Sequence, residues 1–307
     1  MLAFDVKRTM NQHDIDEVTA LLKVIEQAEG RKPLNDHLWI DLRQGGRPGF
    51  AGLTARDSNT NLPIAYCQIS RSNDSWALDF VISPQFRAQT LEVGSSLLGQ
   101  AAQLISAEGG GHIHWWVSEP HTEHKVLAEK LGLNNGRRLL QMKVQLPLAD
   151  SVIAKTKTVA TRGFIIGKDE DQWVNVNNRA FGNHPDQGGW TREILTSRQT
   201  EKWFNPNDLL LHFTDGTENL SAFCWTKIDR ETNQQVGEIY VIAVDPQHHG
   251  KGLGRALSVA GLQHMTSQGA TTGVLFVDQD NQPAVATYQK LGFVTDHIEQ
   301  AFVGDIN

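Results

Sequence analysis

Only two cysteines, Cys67 and Cys224, occur among the 307 residues. They can form at most one bridge, so no disulfide framework and no multi-cysteine zinc site supports this chain, and a reducing compartment is the simpler expectation. Long apolar runs are also missing: none approaches the roughly 20 residues that a membrane span needs. The first eight residues, Met1 to Arg8, lack the charged-then-apolar pattern of a secretory signal, so a cytoplasmic location is expected. Basic residues are the scarcer sign, 28 Lys and Arg against 35 Asp and Glu. The net charge of −7 argues against nucleic acid or an anionic membrane as partner and suits a cationic amine substrate. The same acidity opposes reading the eight tryptophans as a nucleobase-stacking surface. No His-Glu-x-x-His occurs; His112 and His114, or His121 and His124, come nearest to a metal set, and no metal is expected.

What the chain does have is a strand that runs into a glycine-rich turn. Glu238 to Gly254 reads Glu-Ile-Tyr-Val-Ile-Ala-Val-Asp-Pro-Gln-His-His-Gly-Lys-Gly-Leu-Gly. An apolar strand enters a turn with Gly250, Gly252 and Gly254, and a helix follows over Arg255–Gln268. Backbone N–H groups of such a turn converge, and the helix N-terminus adds its positive end, which makes a site for a pyrophosphate. A nucleoside-triphosphate P-loop would need Lys followed by Ser or Thr, and that is absent. A dinucleotide fold would need Gly-x-Gly-x-x-Gly, and Gly250-x-Gly252-x-Gly254 has the wrong spacing. Gln247-His-His-Gly250-Lys-Gly252 instead resembles the acetyl-coenzyme A loop of the GNAT acetyltransferase family at every defined position.

Asn281-Gln-Pro-Ala-Val-Ala-Thr-Tyr-Gln-Lys-Leu-Gly-Phe293 resembles that family's second signature, an Asn-led helix closing in Tyr-x-Lys-Leu-Gly-Phe. Asn281 suits an N-cap, Pro283 a first helical turn and Gly292 a C-terminal stop. Ala284 and Tyr288 fall one turn apart on one face, so a small residue there leaves room for a pantetheine arm while the phenol reaches a thioester sulfur.

The two halves repeat. Ile82-Ser-Pro84-Gln85 answers Val244-Asp-Pro246-Gln247 at an offset of 162, and Glu129-Lys-Leu-Gly-Leu133 answers Gln289-Lys-Leu-Gly-Phe293 at 160. His112–Val117 answers Gly273–Asp278 at 161. Three landmarks in one order signal a tandem duplication. The expected fold is α/β, two tandem GNAT (acyl-CoA N-acyltransferase) domains, each a mixed twisted sheet flanked by helices. Residues 1–147 form a degenerate N-terminal domain, 148–160 a linker and 161–307 the catalytic domain. In the second half strands are expected at Leu209–Thr214, Ser221–Lys227, Glu238–Val244 and Gly273–Val277. The first half lacks the glycine triplet after Pro84 and sets Ala128 against Tyr288 and Trp76 against Glu238. Two roles stay open for it: holding acetyl-CoA, or walling the substrate cleft.

The worn first half, Val176-Asn-Asn-Arg-Ala-Phe-Gly-Asn-His-Pro-Asp186-Gln-Gly-Gly-Trp190-Thr, and Phe223-Cys-Trp225-Thr-Lys227 before Gly237-Glu238 together resemble the mycothiol synthase family. The resemblance implies acetyl transfer from acetyl-CoA, used as cosubstrate without a metal, to the cysteinyl amine of the pseudo-disaccharide Cys-GlcN-Ins. It implies substrate contacts by Asp36, Asp186, Lys227 and Glu238. It implies cofactor contacts by Ile242, Ala243 and Val244; by His249, Gly250, Lys251, Gly252, Leu253, Gly254 and Arg255; and by Asn281, Gln282, Pro283, Ala284, Val285 and Ala286. Phe80, Val81 and Ile82 occupy the corresponding position of the first half. One departure is Phe276, where the family carries a Tyr whose hydroxyl would touch substrate. No partner beyond the small-molecule substrate is expected, and the chain is expected to act as a monomer.

The chemistry can be argued from the residues. An amine attacks a thioester as the free base, so a group must take its proton. Glu238 opens the strand that leads to the turn and suits that role, directly or through one water. An α-amine with a pKa near ~8 needs only a modest base. Tyr288 suits protonation of the departing thiolate, and a backbone N–H near Ala243 or Val244 suits the carbonyl oxygen. Carboxylates such as Asp36 and Asp186 accept several hydroxyl hydrogen bonds, as a sugar–inositol acceptor requires. Each has a plainer role beside it: Asp36 as a helix cap, Asp186 as a turn former, Lys227 and Glu238 as solvated strand ends. A GNAT enzyme for another amine and a non-catalytic acyl-CoA sensor are the alternatives.

Overall fold

A computed structural model describes residues 2–71, 75–182, 188–228 and 235–307, with the side chains of Asp36 and His37 left out. The chain forms two compact units, Met1–Arg138 with Ile298–Asn307, and Leu139–His297. Each half of the sequence runs through the same order of elements. The first has β1 (Leu2–Lys7), α1 (Gln12–Glu29), α2 (Asp36–Arg43), β2 (Phe50–Asp57), β3 (Pro63–Arg71), β4 (Ser75–Ile82), α3 (Thr90–Ala107), β5 (Gly111–Ser118), α4 (Thr122–Lys130) and β6 (Asn134–Gln145). The second follows α5 (Asp150–Ala154). It has β7 (Arg162–Gly163), α6 (Glu170–Ala180), α7 (Arg192–Gln199), β8 (Leu209–Phe213), β9 (Leu220–Ile228), β10 (Val236–Val244), α8 (Leu253–Ser267), β11 (Thr272–Asp278), α9 (Gln282–Lys290) and β12 (Val294–Ile306).

In the first unit β1 to β4 pair antiparallel in sequence order, β5 lies parallel to β4, and the Glu299–Ile306 part of β12 closes the sheet against β5. Period-two alternation sorts β4 between two cores. Trp76, Leu78, Phe80 and Ile82 pack with α3 and α4, while Ala77 and Val81 pack with α1 and α2. In the second unit β7 to β10 pair antiparallel, β11 lies parallel to β10, and the Leu139–Gln145 part of β6 closes the sheet. The unit boundaries therefore fall inside β6 and β12. The segment 148–160, expected as a linker, lies wholly in the second unit and carries α5.

Two different surfaces seat the second unit's helices. On one face Trp173 and Val176 of α6 and Leu195 of α7 pack on Phe223, Trp225, Val241 and Ala243. The Trp173 ring stands 4.8 Å from Phe223 and perpendicular to Trp225 at 5.6 Å, contacts of the edge-to-face and tilted kind that aromatic quadrupoles favour. On the other face α8 approaches the sheet through glycine. A Cβ on Gly261 would stand 2.6 Å from Cys224 Sγ, and one on Gly237 would stand 2.4 Å from Met265 Sδ. The same closeness leaves Cys224 fully buried, and burial pushes its thiol up to about 12. Both cysteines are free and buried, Cys67 in the first unit and Cys224 in the second.

Gly261→Val is expected to lower the urea midpoint by the equivalent of about 1–3 kcal/mol through overpacking. Adding Cys224→Ala should return part of that loss in a double-mutant cycle. An unchanged midpoint in the single variant would contradict the close seating of α8.

Candidate active site

The site begins where two parallel strands stop pairing. β10 and β11 are in register only from Val236–Thr272 to Ile239–Leu275. Beyond that β10 stays with β9, Val241–Val244 opposite Trp225–Ala222, and β11 stays with β6, Phe276–Asp278 opposite Gln141–Leu139. A β-bulge between Ile239 and Val241 coincides with the parting. Strand residues direct N–H and C=O alternately to either side, so part of the Tyr240–Val244 backbone faces the opening and not β9. Extra twist at a bulge is one way a strand is turned away from its neighbour.

The bulge also corrects the comparison of the halves. Ile82 matches Val244 at an offset of 162, but the last paired residues, Leu78 and Ile239, match at 161. The inserted residue is the bulge itself, since β4 pairs with β3 without a shift. Glu238 is thus answered by Ala77, not by Trp76, which lies on the opposite face of its sheet. The same pairing aligns His112 with Thr272, an offset of 160 where the sequence comparison used 161.

Past Val244 the chain makes its turn on a buried acid. Asp245 Oδ1 accepts from the Gln247 N–H at 3.0 Å, and Oδ2 accepts from Arg179 Nε of α6 at 2.8 Å. The Asp245 N–H donates to the Ser221 carbonyl at 2.9 Å. Burial opposes the charge, but the Gln247 amide and the Arg179 guanidinium together hold the carboxyl below its usual range. Gly250 and Gly252 then take φ of 75° and 74°, the left-handed region that favours glycine. A Cβ on either would meet nothing within 4 Å, so backbone conformation requires glycine there and crowding does not. No side chain caps α8, so its first amides point into this turn. The His249 ring meets the Val244 carbonyl at 2.9 Å, and Lys251 and Arg255 flank the turn.

Glu238 is half-buried and stands directly across from Lys227 of β9. Directly opposed residues share a face. Gly237 and Ile239 turn to the α8 side, so Glu238 turns to the side of α6 and α7. Lys227 lays its ammonium 5.2 Å from the centre of the Trp203 ring, a cation–π contact, and β9 runs one residue beyond it. Phe276 lies just past the last β10–β11 pair and is 44% exposed, on the same face as Glu238 by alternation. Tyr288 is 8% exposed on α9, edge-on to Phe293 at 5.7 Å. Burial, reinforced by the Cys224 thiol, raises its phenol above the ordinary range. Asn281 caps α9 by accepting from the Ala284 N–H at 3.3 Å, and Gly292 follows the helix at φ 96°. Ala284 and Tyr288 share a face as spaced, while Gln282, Pro283 and Ala286 are exposed and Val285 is buried.

The remaining expected residues are placed less fully. Asp36 opens α2, but the cap is Asn35, whose Oδ1 accepts from the Leu38 N–H at 2.9 Å; the Asp36 side chain lies outside the described residues. Asp186 also lies outside them. Its loop is tied at Trp190, whose N–H donates to Asn178 Oδ1 at 2.9 Å while Asn178 Nδ2 donates back to the Trp190 carbonyl at 2.8 Å. In the first unit β4 and β5 also part, after Leu78–Trp115. There, however, Phe80 and Ile82 are buried in the α3–α4 core, Val81 faces α1 and α2, and no residue from Pro84 to Thr90 has positive φ.

The histidine pairs have local partners. His112 Nδ1 meets Asp305 at 2.8 Å, and the His121 N–H donates to His124 Nδ1 at 3.1 Å. Among the described residues no helix is long and apolar enough to cross a membrane. Arg179 and Asp245 had no role in the sequence reading. They are 66 residues apart, and only the Asp-Pro step after an apolar strand hinted at a built turn.

Residues 171–293 match the model of the acetyltransferase (GNAT) family. Over 283 residues the chain is 34% identical to a mycothiol acetyltransferase of Acidimicrobium ferrooxidans, covering 91% of this chain and 90% of that protein. It is 35% identical to one of Thermobispora bispora, covering 91% and 92%. A solved GCN5-related N-acetyltransferase from Sphaerobacter thermophilus superposes with a TM-score of 0.76 at 18% identity, over 99% of this chain and 96% of that one. A tandem GNAT protein from the clavulanic acid biosynthesis pathway gives 0.70 at 15% identity, over 100% and 99%. At such identities these two likenesses concern the fold, which is the tandem α/β GNAT arrangement.

Asp245→Asn is expected to destabilise the protein at pH 7 by about 1.5–3 kcal/mol, the range for hydrogen bonds to a charged group. Because the folded carboxyl is held low, its contribution is present above the unfolded value near ~3.9 and is lost as pH falls through the folded value. Thermal melts of the two proteins should therefore converge below about pH 4. A gap that persists there would place the effect elsewhere.

Proposed function

The chain belongs to the mycothiol acetyltransferase family, and from that membership and the parted strands we propose that it acetylates the cysteinyl amine of Cys-GlcN-Ins. Acetyl-CoA is the donor and mycothiol the product. The carrying observation is that the opening between β10 and β11 leads to a glycine turn and an uncapped helix. The turn amides and the first turn of α8 suit the pyrophosphate, and the free backbone edge of Ile242–Val244 suits the amide-bearing pantetheine arm. Asn281–Ala286 would flank that arm, with Ala284 leaving room.

Glu238 takes the proton, directly or through one water, as the amine nitrogen bonds to the acetyl carbon. Tyr288 gives its phenolic proton to sulfur as the carbon–sulfur bond breaks, so amide and free thiol result. Backbone N–H groups facing the opening receive the carbonyl oxygen. The raised phenol pKa favours this assignment, because Tyr288 then stays protonated throughout the working range. Lys227, Asp36 and Asp186 would hold acceptor hydroxyls. All these groups come from one chain, so a monomer suffices, in the cytoplasm where acetyl-CoA is at hand.

Following N-acetylated product by mass tests the reading, with Cys-GlcN-Ins beside a panel of simple amines. Turnover of Cys-GlcN-Ins alone is expected. Turnover of other amines instead would keep the mechanism and replace the substrate, and cofactor binding without product would indicate a sensor. Glu238→Ala should cut kcat roughly 10²–10⁴-fold and flatten the acidic limb of the pH profile. Tyr288→Phe should lower kcat with cofactor affinity unchanged, and the wild-type profile should show no alkaline limb from Tyr288 below about pH 10. Wild-type turnover in either variant across pH would remove that residue's role.

A further inference from the structure

The segment between the two repeats has no counterpart within either, yet it is fastened beside the glycine turn. Arg255, third residue of α8, donates from Nε to Thr156 Oγ1 at 3.0 Å, and that hydroxyl donates to the Val152 carbonyl of α5 at 2.9 Å. Four residues on, the Ala160 carbonyl meets the His212 ring of β8 at 2.9 Å. Thr156 is thus held against the first turn of α8, and its two chain neighbours, Lys155 and Lys157, are both exposed.

The charge pattern of the two joined stretches is unusual for a chain of net charge −7. No Asp or Glu occurs from Ser151 to Lys168 or from Pro246 to Val277. The contact therefore brings Lys155 and Lys157 to Lys251 and Arg255 with no acid in either stretch to offset them. A lysine ammonium reaches several ångströms from its Cα, and the Debye length is about 8 Å at physiological salt. The four cations thus act on the same few ångströms of solvent at the mouth of the turn.

We propose that Lys155 and Lys157 form a cationic rim that binds the 3′-phosphate of the coenzyme A adenosine and so select acetyl-CoA over its 3′-dephospho form. The inference rests on the acetyl-CoA reading of the turn. A phosphomonoester one ribose away from a diphosphate seated on the α8 amides is the dianion such a rim fits. Strongly hydrated ammonium groups on flexible stems suit a solvent-facing phosphate without demanding one geometry.

The test is calorimetric binding of coenzyme A and of 3′-dephospho-coenzyme A to the full chain, wild type against Lys155→Ala/Lys157→Ala, at low and physiological salt. Both residues are exposed, and a matching thermal melt confirms that the variant folds. The wild type should prefer coenzyme A, and the variant should lose about fivefold in affinity for it. The 3′-dephospho ligand should bind both proteins within about twofold, and the loss should shrink as salt rises. Equal losses for both ligands, or none for either, would overturn the rim. If the wild type binds neither ligand, the acetyl-CoA reading fails first and the rim falls with it. Because no acceptor is present, a wrong acceptor assignment leaves the result unchanged.

Discussion

Everything in the second unit depends on two parallel strands that are held together for four residues and then released. A parallel pair that stops early leaves backbone donors and acceptors without strand partners, which is costly in a closed interior. Here the cost is tolerable because each strand keeps its outer neighbour: β9 holds β10, and β6 holds β11. The bulge at Tyr240 turns β10 aside, and the aromatic cluster of Trp173, Trp203, Trp225 and Tyr240 packs against that turned stretch. On the far side the glycine contacts of α8 pin β9 and the paired part of β10. The opening is thus a consequence of rigid surroundings, as a preorganised site requires.

The first unit shows what the same topology lacks without those additions. Its β4 and β5 part at the equivalent residue, but β4 has no bulge, the following turn has no left-handed glycine, and Phe80 and Ile82 are committed to the core. Ala77 and Ala128 stand where the second unit has Glu238 and Tyr288. The duplicated scaffold survives because its strands and helices bury apolar faces, while the features that concern a diphosphate or a proton are absent.

Sequence exposed what is encoded locally. The strand–turn–helix and the Asn281 helix were legible because glycine, proline and cap residues act on their immediate neighbours. The one-residue bulge was visible only as a change of offset, and reading that offset as constant set Trp76 against Glu238, one residue out and on the wrong face. Nor could periodicity reveal that β6 and β12 would each cross a unit boundary, or that 148–160 would fold with the second unit. Pairings such as Arg179–Asp245 and Thr156–Arg255 join residues 66 and 99 positions apart, and nothing near either partner announces the other.

The two faces of the second sheet give the proposed reaction its direction. Glu238 turns towards α6 and α7, together with Lys227 and Phe276. Tyr288 is grouped with Cys224 on the side where α8 packs. An acid and a base on one surface would tend to pair and neutralise each other, whereas here a sheet stands between them. The parting of β10 and β11 joins the faces where both groups are near. An amine arriving on the α6–α7 side then loses its proton there, and a thiolate leaving on the α8–α9 side gains one there, so neither group must return its proton to the other within a turnover. Phe276 sits at the entrance on the amine side. A hydroxyl lost at that place bears on how firmly the acceptor is held and leaves the proton path untouched.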